Sequence, residues 1–306
     1  MTMGGTRDFV GYGANPPDPM WPGGALLALN FVVNVEEGSE LSFLDGDDRS
    51  ETGLTELGTQ KSEVSGRDLG AESMFEYGAR VGVWRVFRAF AERQVPLTAF
   101  ACALALERNP AVAAEIRDRG FDVCAHGWRW ERHFELDESS ERERIRRAVA
   151  SIEATTGTRP CGWYCRYAPS VNTRRLLVEE GGFLYDSDSY ADELPFWVEV
   201  NGRPHLIVPY SLATNDTKFV RGGMSTAEHF FTFLSDSLEV LLAEGERWPK
   251  MLSIGLHPRI VGHPGRIRAL TRFLDMVAAN EKIWLAKRLD IAKHWIACHP
   301  AGARGP

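Results

Sequence analysis

Short apolar runs alternate with stretches of helical spacing along most of the chain. The β-rich runs are 25–35 (ALLALNFVVNV), 96–101, 121–125, 162–164, 183–185, 205–208, 251–256 and 283–286. Between them, apolar side chains recur once per helical turn. Ile145, Val149 and Ile152 fall at i, i+4 and i+7, and Phe75, Ala79, Val83, Phe87 and Phe90 continue the same spacing, with Gly78 and Gly82 as weak points. Strands alternating with helices predict a parallel sheet with helices outside it. Several runs are nearly all apolar, as strands buried on both faces must be. Residues 38–70 break the pattern. They are polar and weakly periodic over a length that marks a functional or interface excursion rather than an ordinary loop. The opening GYGANPPDPMWPGG is turn-rich and reads as an arm laid on the surface.

Composition narrows the class. Of 306 residues, 44% are hydrophobic and 25% charged, which excludes a mainly disordered or collagenous chain. That length suits two domains or one α/β barrel. Lys and Arg total 35 against 42 Asp and Glu, a formal charge of -7, so there is no electrostatic reason to expect a nucleic-acid partner or an anionic membrane. The run 142–147 (RERIRR) is interleaved with acids and reads as a solvated helix face. The start MTMGGTRDF has no signal-peptide core, and no apolar run reaches the ~20 residues of a membrane span. The five cysteines are an odd count, and the CxxxC pair Cys161 and Cys165 has no second pair to complete a zinc site. The expected setting is reducing and cytoplasmic.

The informative feature is the kind of residue that closes each apolar run. Asn34, Glu36 and Glu37 close the first, and His126 follows FDVCA. Arg166 follows GWY, Asp186 and Asp188 follow FLY, and His257 follows MLSIGL. In a parallel barrel the C-terminal strand ends meet on one rim, where catalytic groups gather. Five such endings predict one site built by a ring of loops.

In their order, NVEEG, HGWRWERH, RPCGWYCRYAP, FLYDSDSY and SIGLHPRIVGHPGR resemble the polysaccharide deacetylase (NodB-homology, carbohydrate esterase 4) superfamily. GYGANPPDPMWPG, ESMFEYGARVGVWR, NTRRLLVEEGGFLYDSDSY, TNDTKF and PKMLSIGLHPRIVG resemble its branch of metal-independent bacterial allantoinases more closely. The resemblance runs over roughly residues 7–297. It implies an α/β fold, a distorted (β/α) barrel of about seven parallel strands, and hydrolysis of C–N amide bonds. The chain is accordingly read as a single catalytic domain over 1–306, carrying the arm 1–24 and the excursion 38–70.

By this resemblance Glu36 is the catalytic base and Glu37 stands where the superfamily's metal-holding acid stands. Neighbouring strand-end residues point to opposite faces, so one of the two is expected to enter the site. The second motif of the superfamily supplies two histidines at i and i+4 to a metal. Here the second place is Trp130, and an indole cannot ligate a divalent cation. His126 then reads as a hydrogen-bonding or electrophilic residue, and no metal cofactor is expected. The alternative is a zinc site improvised from Glu37, His126 and His133. Trp128 and Trp130 are expected to wall a pocket for a flat heterocycle. Arg166 is a bidentate donor to a carbonyl or carboxylate, on a segment one residue longer than the branch's usual Gly-Arg element. Asp186 is expected to support a histidine or Arg166. Asn215 and Asp216 are expected to read the substrate amide, and His257 to protonate the leaving nitrogen.

The leading expectation is ring opening of a cyclic amide, allantoinase-like, on a small-molecule substrate. A ureide or imide nitrogen leaves more readily than that of a plain acetamide and needs less electrophilic help. The alternatives are a metal-dependent N-acetyl-sugar deacetylase, a cyclic imide hydrolase, and a barrel that binds a ligand without turnover. The resemblance also implies a homotetramer.

Overall fold

The computed structural model describes residues 7–58, 60 and 62–302. Residues 1–6 of the expected arm, 59 and 61 of the expected excursion, and 303–306 of the expected domain lie outside the described residues. Nine strands form one sheet: β1 (Leu27–Val35), β2 (Thr98–Ala101), β3 (Asp122–Ala125), β4 (Gly162–Trp163), β5 (Tyr185–Asp186), β6 (Phe196–Val200), β7 (Arg203–Ile207), β8 (Lys250–Leu256) and β9 (Ile283–Leu285). They lie in the order β6-β7-β5-β4-β3-β2-β1-β8, with β9 also paired to β1. Every pairing is parallel except β6 with β7. The hydrogen-bonded path has two ends, so the expected distorted barrel is an open one. Among the described residues eight strands run parallel, where the resemblance implied about seven.

The eight apolar runs of the sequence are the eight parallel strands, within a residue or two at each end. β6 went unread because it is a half-exposed edge strand whose short apolar run, 196–198, is cut by Glu199. It joins β7 through Asn201 and Gly202, both at positive φ (49° and 74°), which is the hairpin turn that this dipeptide favours.

β1 is buried along its whole length. Its register brings distant parts of the chain together: Leu27 pairs with both Lys250 and Ile283, and Val33 with Leu256. Inside the curl the fully buried Arg288 fills the space beside β1, β5 and β8. It donates to Asn30 Oδ1 at 2.9 Å, Ser253 Oγ at 2.8 Å and Ser187 Oγ at 2.9 Å, and to the carbonyls of Val208 and Pro209. A buried cation is tolerated when its donors are met, and here neutral dipoles meet them.

The described part of the arm covers the N-terminal ends of the strands. Trp21 is buried, donates its indole N–H to the Lys250 carbonyl at 2.9 Å, and packs on Trp284 and Trp295. The run 142–147 lies on the helix Glu138–Thr156, whose buried face carries Ile145, Val149 and Ile152 as the spacing predicts. Among the described residues no helix is long and apolar enough to cross a membrane.

The weak points Gly78 and Gly82 bracket a wider turn in an otherwise continuous helical stretch, Leu69–Ala91. Another backbone passes close to Gly82, and the side chains of Glu37 and Arg259 crowd Gly78. A Cβ on Gly82 would lie 2.1 Å from the Pro258 carbonyl oxygen, and one on Gly78 would lie 2.6 Å from Glu37 Oε1. This contact seats the short helix Pro258–Val261 that follows β8. Gly82→Ala is therefore expected to destabilise the fold by about 1–3 kcal/mol through overpacking, measured by urea denaturation. Unchanged stability would mean that the helix yields freely at that contact.

Candidate active site

The C-terminal strand ends converge on one cavity of about 370 Å³, lined among others by Asn34, Glu36, Glu51, His126, Trp130, Tyr164, Arg166, Tyr210, Asn215 and His257. Glu36 follows β1, His126 follows β3 and His257 follows β8 without an intervening residue. The strands therefore set their positions. Glu36 faces the cavity and Glu37 does not, as strand alternation requires.

Glu36 is 1% exposed, and each of its oxygens has a partner. Oε2 accepts from Arg259 Nη2 at 2.6 Å; Oε1 lies 3.1 Å from His126 Nε2 and 3.7 Å from His257 Nε2. Burial alone would raise its carboxyl. Arg259 first, then His257 and His126, outweigh burial and hold it far below the usual carboxylate range. Glu36 is thus ionised at any working pH. Glu37 accepts from Arg259 Nη1 at 3.1 Å, but there burial prevails and its carboxyl is raised. The third donor of Arg259, Nε, reaches the Leu54 carbonyl at 2.9 Å. This guanidinium is fully buried and spends every nitrogen.

Sequence reasoning missed Arg259. It sits two residues beyond His257, where the turn of the short helix aims it back at Glu36 and Glu37, more than 200 residues away in the chain. The available signal was an arginine at a rim already holding two acids.

The two histidines differ. His126 Nδ1 lies 2.7 Å from the Tyr164 carbonyl and its Nε2 faces Glu36, so both nitrogens are committed, and the ring stacks on Tyr164. It is placed to orient Glu36 and has no free donor for substrate, which corrects its reading as an electrophile. His257 Nδ1 donates to Asp216 Oδ1 at 2.7 Å, leaving Nε2 facing the cavity. Asp216 Oδ2 also accepts from the backbone N–H groups of His257 and Val261. Fully buried and fully engaged, Asp216 stands behind His257 and does not read substrate; that expectation is corrected. Its neighbour Asn215 does line the cavity and donates to Tyr210 Oη at 3.1 Å.

Trp130 walls the cavity as expected, with the Arg166 guanidinium 3.7 Å from its ring centroid. Trp128 does not line it. The chain turns at Gly127 (φ 85°), and Trp128 packs against Arg144 and Arg147 of the helix Glu138–Thr156. Asp186 does hold a histidine, but it is His205, at 3.0 Å, and its second partner is Arg174 rather than Arg166. Arg166 is held instead by Glu51, Nη1 to Oε2 at 2.6 Å, and by the Trp130 carbonyl. Its Nε and Nη2 have no hydrogen-bond partner among the described residues. Glu51 belongs to the polar excursion, which lies across the rim and supplies one wall of the cavity.

The donors of the alternative zinc site do not converge. Glu37 faces Arg259, and His133 faces Glu141 at 3.1 Å with its other nitrogen buried and unpartnered. His126 is engaged on Tyr164 and Glu36. Among the described residues no three His, Cys, Asp or Glu side chains are grouped to hold a metal ion. The superfamily's metal thus does not fit this donor set: a guanidinium already sits against both acids.

Removing this guanidinium tests the electrostatics. Arg259→Met leaves two buried carboxylates unpaired and is expected to cost about 3–5 kcal/mol near pH 7. The gap from the unaltered protein should narrow toward pH 4. The depressed Glu36 contributes stability that is present above its unfolded value and lost as pH falls, whereas the freed carboxyls of the variant regain stability on protonation. Urea titrations at both pH values measure this; a gap that widens toward pH 4 would refute the assignment.

The comparisons agree with this architecture. The family model for polysaccharide deacetylase matches residues 70–184. A putative polysaccharide deacetylase of Schizosaccharomyces pombe is 38% identical over 315 residues, 96% of this chain and 98% of the relative. Two crystal structures, a probable polysaccharide deacetylase from Pseudomonas aeruginosa PAO1 and Puue allantoinase, each superpose with a TM-score of 0.92 at 47% identity. They cover 96% of this chain, and 99% and 98% of their own. The chain belongs to the polysaccharide deacetylase family and is a hydrolase acting on carbon–nitrogen bonds.

Proposed function

We propose that the protein opens the ring of a cyclic amide by hydrolysis without a metal ion. The observation that carries this reading is Arg259: a buried guanidinium supplies the positive charge beside Glu36 and Glu37, where a deacetylase would use a metal. The likeness to Puue allantoinase supports it, as does a compact cavity with an aromatic wall at Trp130.

In this mechanism water sits against Glu36 Oε1 and His257 Nε2 and attacks the ring carbonyl. Glu36 accepts the proton as the water adds. Because Arg259 keeps this carboxylate a weak base, the proton moves on across the 3.7 Å to His257 Nε2. The free N–H groups of Arg166 stabilise the oxyanion. The C–N bond breaks, His257 gives its proton to the departing nitrogen, and the ring opens to a carboxylic acid, which releases its remaining proton to solvent. Asp216 holds His257 in the tautomer that the step needs.

Three outcomes test this. Ring opening of allantoin, hydantoin or succinimide should survive a strong chelator. Acetate release from an N-acetylglucosamine oligomer, abolished by the chelator, would instead establish the metal-dependent deacetylase. Glu36→Gln should lower kcat by roughly 10²–10⁴ with the fold retained by circular dichroism. Asp216→Asn should cost a comparable factor, mainly in kcat, because the tautomer of His257 is lost; wild-type kcat in either variant would remove that residue from the mechanism.

A further inference from the structure

The catalytic cavity continues into a second hollow of about 500 Å³ toward the surface, and the two share Tyr167, Tyr210, Leu212 and Arg221. A charge census of the inner cavity separates Arg221 from the rest. Its acids are spent, Glu36 on Arg259 and Glu51 on Arg166. The charges of its other arginines are paired too, Arg166 with Glu51 and Arg132 with Glu135, although Arg166 keeps donors free. Arg221 lines both hollows and has no acidic partner among the described residues. The uncompensated positive charge among the arginines and carboxylates therefore sits at the mouth.

Arg221 is exposed, but its backbone is fixed. Its N–H donates to the Thr217 carbonyl at 2.8 Å, and the chain reverses immediately after it through Gly222 and Gly223 at φ 90° and 104°. Opposite stand two unusually exposed aromatic rings, Tyr167 at 63% and Tyr190 at 40%, with centroids 6.1 Å apart. Exposed rings beside an unpaired guanidinium form a receptor for a short arm ending in a planar oxyanion.

We propose that the preferred substrate carries a carboxylate-bearing arm beyond the ring that is opened, the arm lying along Tyr167 and Tyr190 and its carboxylate on Arg221. This rests on the cyclic-amide reading and adds to it a substrate class: acidic derivatives of the ring rather than the bare ring. No new chemical step is involved, because the arm binds and does not react.

The test uses the full chain and two ligands: hydantoin bearing a carboxyethyl arm and the matching carboxamide. Both kcat/KM and the calorimetric Kd are measured for the unaltered protein, Arg221→Gln and Arg221→Lys. The acid is expected to be preferred over the amide by about tenfold, as one charge-assisted contact allows. That ratio should fall to about one in Arg221→Gln, stay partly in Arg221→Lys, and shrink with added salt. An acid bound no better than the amide by the unaltered protein, or a preference kept intact in Arg221→Gln, overturns the proposal. If neither ring is opened by the unaltered protein, the cyclic-amide reading has failed, and the Kd ratios still decide the subsite on their own.

Discussion

A single buried guanidinium between two carboxylates organises this protein. Arg259 ties the end of β1 to the helix after β8, and through the Leu54 carbonyl it ties both to the segment that roofs the rim. Such an arrangement is not explained as a source of stability, since burying three charged groups costs about as much as their attraction returns. Its effect is directional. One Glu36 oxygen is locked on Arg259, so the other must face His126 and His257. The family's use of that place for a metal and this chain's use of an arginine both put a positive charge beside an acid. They differ in that a guanidinium cannot bind and polarise the substrate oxygen once all its nitrogens are spent. In the ring opening proposed above, electrophilic help would come from Arg166, which has donors to spare.

The polar excursion illustrates how a segment poor in apolar side chains can still be held in place. Four of its acids are taken by arginines outside it: Asp45 by Arg108, Asp47 by Arg129, Glu51 by Arg166 and Glu56 by Arg266. Exposed ion pairs of this kind are weak individually. Arg129 and Arg166 are largely buried, however, and their planar forks fix direction as well as distance. The wall facing the cavity is therefore set by the same contacts that retain the segment.

The sheet was legible in the sequence because each parallel strand carries a mostly apolar run, and the rim because ionisable groups begin where those runs stop. Glu36, His126 and His257 could be placed without a structure for that reason. What could not be read was which groups face one another across the ring. Asp216 looked like a substrate contact and proved to be the support of His257. Trp128 looked like a twin of Trp130 until the turn at Gly127 sent it outward. Arg259 and Glu51 carry no local signature, since their meaning lies in partners more than a hundred residues away. β6 was missed although Asn201–Gly202 announces its hairpin, because it is half exposed and its apolar run is only three residues long.

The place of Arg288 has a consequence for the order in which the chain can assemble. Asn30, Ser187, Ser253 and two carbonyls after β7 point at one interior spot, and only the segment following β9 supplies the donors that satisfy them. β1, made early, likewise awaits neighbours at 250–256 and 283–285. During synthesis β1 therefore has β2 to pair with long before β8 and β9 exist, and a nascent chain short of residue 288 lacks the donors that meet these dipoles. The interior is therefore completed only by the segment after β9, and no fragment of the chain that lacks it can satisfy these groups in the same way.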